Sequence, residues 1–129
     1  MLIISCSHGK HLGHLIAKRL RSSNSNLHTG KFPDNELYIR FDSSPKNKTV
    51  VLVQSFYKNI NDCIMEVIFA AKTCHELQAK KVVLAAPYFP YLRQDKRFRK
   101  GEVVSQRIIA DLMDKYFDCV CIMDPHLHR

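Results

Sequence analysis

Apolar residues along this chain keep two different rhythms. Residues 2–6, 49–55, 81–86 and 119–123 are short, nearly continuous apolar runs rich in Val and Ile. Each reads as a strand, and the β-branched run 49–55 as one covered on both faces. Between them, apolar positions recur at intervals of three and four. Leu12, Leu15, Ile16 and Leu20 predict a first helix after the turn Ser7-His8-Gly9-Lys10, with Lys18, Arg19 and Arg21 in water. Ile60, Ile64, Val67, Ile68, Ala71 and Cys74 predict a second over residues 59–79, with Asn61 or Asp62 placed to cap its first amides. Ile108, Ile109, Leu112 and Met113 predict a third over 106–116, capped by Ser105. The polar tract 22–26 ends the first helix, 37–41 alternates like a half-exposed strand, and 42–48 is a polar turn around Pro45.

Strands that alternate with helices predict a three-layer α/β fold, a mostly parallel sheet with helices on both faces. The length of 129 residues fits one domain with one core. There is no internal repeat, linker or low-complexity segment. No apolar run is long enough to span a bilayer, and the first residues lack the basic start of a signal peptide, so the expected location is the cytoplasm and no membrane partner is expected. Five cysteines, with no C-x-x-C pair, suggest neither a disulfide framework nor a zinc ribbon. They are expected to be reduced, buried and small, with Cys119 and Cys121 facing one side of a strand.

The formal net charge of +8 favours polyanionic partners: nucleotides, sugar phosphates or nucleic acid. Three clusters offer chemistry for them. Residues 87–102 follow the strand at 81–86, and ligands in open α/β sheets bind beyond the carboxyl ends of strands. There Arg93 offers a planar fork to a phosphate, and Asp95 an oxygen to a metal or a ribose hydroxyl. Phe32-Pro33-Asp34-Asn35-Glu36 sets two carboxylates behind an aromatic ring, suited to an adenine amino group and a stacking face. Asp124 with His126 and His128 offers oxygen and imidazole ligands beyond the last strand. Each also has a plainer reading, as a solvated loop, a polar turn and a terminal tail. His8, His11 and His14 fan around a helix and do not converge on a metal. No Walker loop or dinucleotide fingerprint occurs.

Taken in order, F-x-D-x-E, then P-Y-x-x-Y-x-R-Q-D-[KR], then D-x-H, these clusters resemble the amino-terminal half of the ribose-phosphate diphosphokinase family, the phosphoribosyl pyrophosphate synthetases. The resemblance runs from the first strand to His126. It implies a phosphoribosyltransferase-like fold and transfer of the diphosphoryl group of MgATP to ribose 5-phosphate. It implies that Phe32, Asp34, Asn35 and Glu36 contact adenine in a neighbouring subunit and that Arg93, Gln94 and Asp95 line the ATP site. Asp124 and His126 would stand by the Mg2+ and triphosphate. Asn35 replaces the family's usual Gly and Pro125 its usual Leu.

The family's carboxyl-terminal signals, including its T-G-G-T loop, have no counterpart in these residues. The expectation is therefore a single amino-terminal, ATP-binding and oligomer-forming domain over 1–129, without the family's second domain, without catalytic residues of its own, and inactive alone. A homo-oligomer or a partner chain would complete it. A non-catalytic subunit that regulates or assembles a synthetase is the alternative. A nucleic-acid-binding role for the basic and aromatic residues of 88–100 is disfavoured, because the ordered motifs explain the same residues.

Overall fold

The computed structural model describes residues 1–123 and Pro125. Its elements in chain order are β1 (Leu2–Ser5), α1 (Lys10–Leu20), β2 (Ser23–Lys31), β3 (Leu37–Phe41), β4 (Thr49–Val53), α2 (Ile60–Glu76), β5 (Lys81–Ala86), α3 (Ser105–Asp114) and β6 (Cys119–Ile122). The six strands form one sheet in the order β3-β2-β1-β4-β5-β6. Every neighbouring pair is parallel except β2 with β3, which forms an antiparallel hairpin. The mostly parallel, two-faced α/β sheet read from the apolar pattern is thus the observed architecture.

Alternation along the strands sends residues to opposite faces. Leu2, Ile4, Val50, Leu52, Val82 and Leu84 bury one face in a cluster with Ile64, Val67 and Ile68 of α2 and Met113 of α3. Ile3 and Val53 bury the other face against Ala17 of α1. Complete burial of each such aliphatic side chain contributes about 1.5–3 kcal/mol.

The stripe of α1 is met in part: Leu12 and Ile16 pack against the cluster of Ile3, Ala17 and Val53 as expected, and the rest differs. Leu15 and Leu20 are exposed, while Gly13 and Ala17 are buried. The cause is close docking. A Cβ on Gly9 would collide with the Val53 carbonyl, and one on Gly13 with the Ser5 hydroxyl. Small residues therefore form the contact, and the larger leucines turn outward. Ile108 is likewise exposed, and Met113 is the buried residue of α3.

Strand β2 lies where a polar break followed by unassigned chain was expected. Its sequence, SNSNLHTGK, has Leu27 as its one buried residue. It is a strand because β1 pairs on one side and β3 on the other, so backbone pairing overrides a weak side-chain signal. The cysteines divide. Cys6, Cys63 and Cys74 are buried as expected, but Cys119 and Cys121 are exposed. They share a face with Val83 and Ala85, and α1 packs on β1, β2 and β4, leaving β6 beyond it at the sheet edge.

Neither helix cap matches its expected residue. The N-caps are Asn59 for α2 and Val104 for α3, without side-chain hydrogen bonds. Asn61, Asp62 and Ser105 instead bind other partners near the candidate site. Among the described residues no helix is long and apolar enough to cross a membrane.

Candidate functional site

In the strand order, the chain runs outward in both directions from the pair β1 and β4, which makes their carboxyl ends the point where the sheet's connections diverge. A buried polar junction occupies this point. Glu66 of α2 is only 2% exposed. Its Oε1 accepts a hydrogen bond from the Ser7 backbone N–H (2.8 Å), and its Oε2 accepts from Ser7 Oγ (2.6 Å) and Gln54 Nε2 (2.8 Å). Gln54 Oε1 accepts in turn from the N–H groups of His8 (2.9 Å) and Ser55 (3.2 Å). A buried carboxylate is tolerated only with such partners. The junction ties α2 to the loops following β1 and β4.

Neither Glu66 nor Gln54 was among the residues picked from sequence. The signal was present as a pattern violation. Glu66 interrupts the apolar face between Cys63 and Val67, and Gln54 ends a buried run. Beside the junction, Cys63 Sγ lies 3.3 Å from His8 Nδ1, and the His8 ring meets Tyr57 with centroids 4.9 Å apart. Burial, reinforced by the Glu66 charge, pushes the Cys63 thiol up, which keeps it protonated.

Tyr57 also borders a cavity of about 540 Å³ at the carboxyl end of β5. Its other walls are Ile60, the segment 87–94, Ser105 and Met123. Arg93 and Gln94 therefore stand on one cavity wall, as the strand-end position predicts. Gln94 is fastened to α3: its Oε1 accepts from Ser105 Oγ (3.1 Å), and its carbonyl accepts from the Gln106 N–H (3.3 Å). Tyr91 carries φ 60°, a left-handed conformation uncommon for a bulky residue, and its hydroxyl donates to Asn61 Oδ1 (2.6 Å). That bond anchors the turn which delivers Arg93 to the cavity.

Asp95 follows on the same loop but is not among the cavity walls. Farther along, Glu102 Oε2 accepts from the N–H groups of Phe98 and Arg99, both at 2.9 Å, and its carbonyl accepts from Arg97 Nε (2.9 Å). The loop's carboxylate at 102 thus folds the basic tip and is not turned to a ligand.

The second cluster is the β2–β3 turn. Phe32 N–H donates to the Glu36 carbonyl and Asn35 N–H to the Phe32 carbonyl, both at 2.9 Å, and Asp34 Oδ1 accepts from Glu36 N–H (3.2 Å). Asn35 sits at φ 70°, where Asn is tolerated and Gly is freer. The Phe32 ring is half exposed and meets Tyr38 edge-on, with centroids 5.6 Å apart. None of Phe32, Asp34, Asn35 or Glu36 borders the Arg93 cavity, and the hairpin is at the opposite edge of the sheet from β6. The fold does not bring the two clusters together within one chain.

Asp124 and His126 lie outside the described residues, as does His128. Among the described residues no group of three or more His, Cys, Asp or Glu side chains could hold a metal ion, and His8, His11 and His14 form none.

A mostly parallel six-stranded sheet with helices on both faces is the class of α/β fold shared by phosphoribosyltransferases. A solved adenine phosphoribosyltransferase from Thermoanaerobacter pseudethanolicus shares this fold at a TM-score of 0.51 and 14% identity, over 95% of this chain and 69% of that one. The likeness narrows with phosphoribosylpyrophosphate synthetase from Mycobacterium smegmatis: TM-score 0.81, 25% identity, over 95% of this chain and 48% of that one. Residues 1–116 match the family model described as the N-terminal domain of ribose phosphate pyrophosphokinase, and the chain belongs to that family. The ribose-phosphate pyrophosphokinase of Mycoplasma genitalium is 36% identical over 114 residues, 88% of this chain and 34% of the relative. That of Thermoplasma acidophilum is 29% identical over 126 residues, 98% of this chain and 43% of the relative. The chain thus spans less than half the length of these relatives.

Proposed function

We propose that this domain holds MgATP as diphosphoryl donor for transfer to the C1 hydroxyl of ribose 5-phosphate, giving phosphoribosyl pyrophosphate and AMP in the cytoplasm. The observation that carries this reading is the cavity beyond β5 with Arg93 and Gln94 on its wall, in a chain of the ribose phosphate pyrophosphokinase family. Arg93 clamps phosphate oxygens through its planar fork, and Gln94, held by Ser105, orients the nucleotide. Transfer of this kind rests on positioning and on neutralising charge.

The hairpin residues Phe32, Asp34, Asn35 and Glu36 serve the nucleotide of a neighbouring copy, which is supported by their distance in the fold from the same chain's cavity. Mg2+ takes hard oxygen ligands, one or two from protein carboxylates and the rest from phosphates and water. Asp95, beside Gln94, and Asp124 with His126 are the donors proposed for it; bound there, the ion would neutralise the triphosphate. The acceptor-sugar contacts are assigned to residues beyond these 129, on the family's second domain or a partner chain.

Calorimetry of the chain with MgATP and with ribose 5-phosphate, followed by assay for AMP, tests the proposal. Binding of MgATP alone, without AMP formation, is the expected result. A folded chain that does not bind MgATP would overturn the donor-site assignment. Rapid AMP formation by the chain alone would overturn the claim that the acceptor site lies elsewhere.

A further inference from the structure

Two of the five thiols differ from the other three in kind. Cys6, Cys63 and Cys74 are buried. Burial pushes Cys6 well above the usual thiol range and Cys74 up to about 12, and Cys63 is raised in the same direction. Above all, buried sulfurs are out of reach of a dissolved disulfide, and reactivity needs access as well as thiolate. Cys119 and Cys121 are exposed, project from the same face of edge strand β6, and have their sulfurs 3.9 Å apart. A bond between them requires side-chain rotation and a shortening of the strand.

We propose that Cys119 and Cys121 form a dithiol modification site that closes reversibly to an intrastrand disulfide by exchange with a small disulfide such as oxidised glutathione. One cysteine thiolate attacks a sulfur of the small disulfide. The S–S bond breaks, one glutathione leaves as thiolate, and a mixed disulfide remains on the protein. The second cysteine thiolate attacks the protein sulfur of that bond and expels the second glutathione. Two protein thiols are oxidised to one disulfide, and one glutathione disulfide is reduced to two thiols.

Geometry also sets the character of the bond. The sulfurs must close from 3.9 Å to about 2.05 Å. Residues two apart on a strand have Cα atoms about 6.6 Å apart, near the upper limit of about 6.8 Å for disulfides. The bond therefore forms under strain and is readily reduced, as labile and regulatory disulfides are. Among the described residues β6 has one neighbouring strand, and such a strand yields to a pinch more easily than a central one. Burial and the adjoining Cys119 push the Cys121 thiol up, so exchange accelerates toward alkaline pH.

The test treats the folded chain with oxidised glutathione and reads intact mass and mapped peptides, in parallel with C119S and C121S. The expected product of the parent chain is lighter by two hydrogens, carries a 119–121 bond and is restored by reduced glutathione. Each single variant retains one glutathione on its remaining strand cysteine, which shows that both positions are reachable. The proposal is overturned by stable glutathione adducts on the parent chain without closure, by disulfide-linked dimers as the main product, or by no reaction at either cysteine.

Discussion

The Glu66 junction and the loop 87–102 are both polar, both sit at strand carboxyl ends, and differ in what their polarity is for. In the junction the donors of Ser7 and Gln54 converge on one buried carboxylate. In the loop, Arg93 is exposed on a cavity wall, and the groups around it are secured by Tyr91, Ser105 and Glu102. A polar group whose hydrogen bonds end inside the protein supports the fold. One held in place by its neighbours while its own head stays accessible keeps its hydrogen-bonding capacity for solvent or a ligand, as the proposed nucleotide site requires of Arg93. The contrast predicts that changes in the first region alter stability and changes in the second alter binding.

Glu66→Ala should show the largest effect. It removes the acceptor shared by the Ser7 N–H, the Ser7 hydroxyl and Gln54 Nε2, of which Gln54 Nε2 keeps Ser7 Oγ as a second acceptor at 3.1 Å, at about 1–3 kcal/mol for each stranded donor. Urea unfolding should register a loss of about 3 kcal/mol, and a loss below about 0.5 kcal/mol would refute the junction's structural role. Arg93→Ala should instead leave the unfolding midpoint in place and weaken MgATP binding by about 1.5–3 kcal/mol, the range for a charge-assisted hydrogen bond. Unchanged affinity by calorimetry would remove Arg93 from the site. Arg93→Lys should recover only part of the loss, because the ammonium makes no planar two-point contact.

Tyr91→Phe tests the boundary between the regions. Loss of its bond to Asn61 should cost about 1 kcal/mol, in the range for one hydrogen bond. It should weaken nucleotide binding more than stability, since the bond holds a turn and not the core. An equal effect on both would place Tyr91 with the junction. Asn35→Gly should be the mildest change, within about 0.5 kcal/mol in stability, because φ 70° suits glycine. Asn35→Val, whose β-branch resists that conformation, should be visibly worse in the same unfolding experiment.

The same contrast explains what could be read from the chain. The continuous apolar runs gave the four strands β1, β4, β5 and β6; in β1 and β4 burial on both faces leaves a signature in every residue, whereas β6 keeps the apolar run although most of it is exposed. Strand β2 left none: its register comes from β1 and β3, which lie elsewhere in sequence. The place of Arg93 and Gln94 at a strand's carboxyl end was legible because a loop follows its strand directly in sequence. Glu66 and Gln54 were not picked out, because their partners are 12 to 59 residues apart in the chain and converge only on folding. The outward turn of Leu15 and Leu20 was hidden for a related reason. Periodicity finds a helix's apolar side, but the distance of approach decides which residues on that side are covered.

Gly9 and Gly13 stand one helical turn apart and appear equivalent, yet they have unequal freedom to change. The atom that excludes a side chain at Gly9 is the backbone carbonyl of Val53, and no substitution at Val53 can remove it. At Gly13 the obstacle is the side chain of Ser5, its hydroxyl first and its Cβ next at 3.1 Å. An alanine at 13 is therefore accessible to a lineage that first trims Ser5 to glycine, while an alanine at 9 requires the whole helix to shift. Variation at 13 should be coupled to variation at 5, and variation at 9 should be coupled to none.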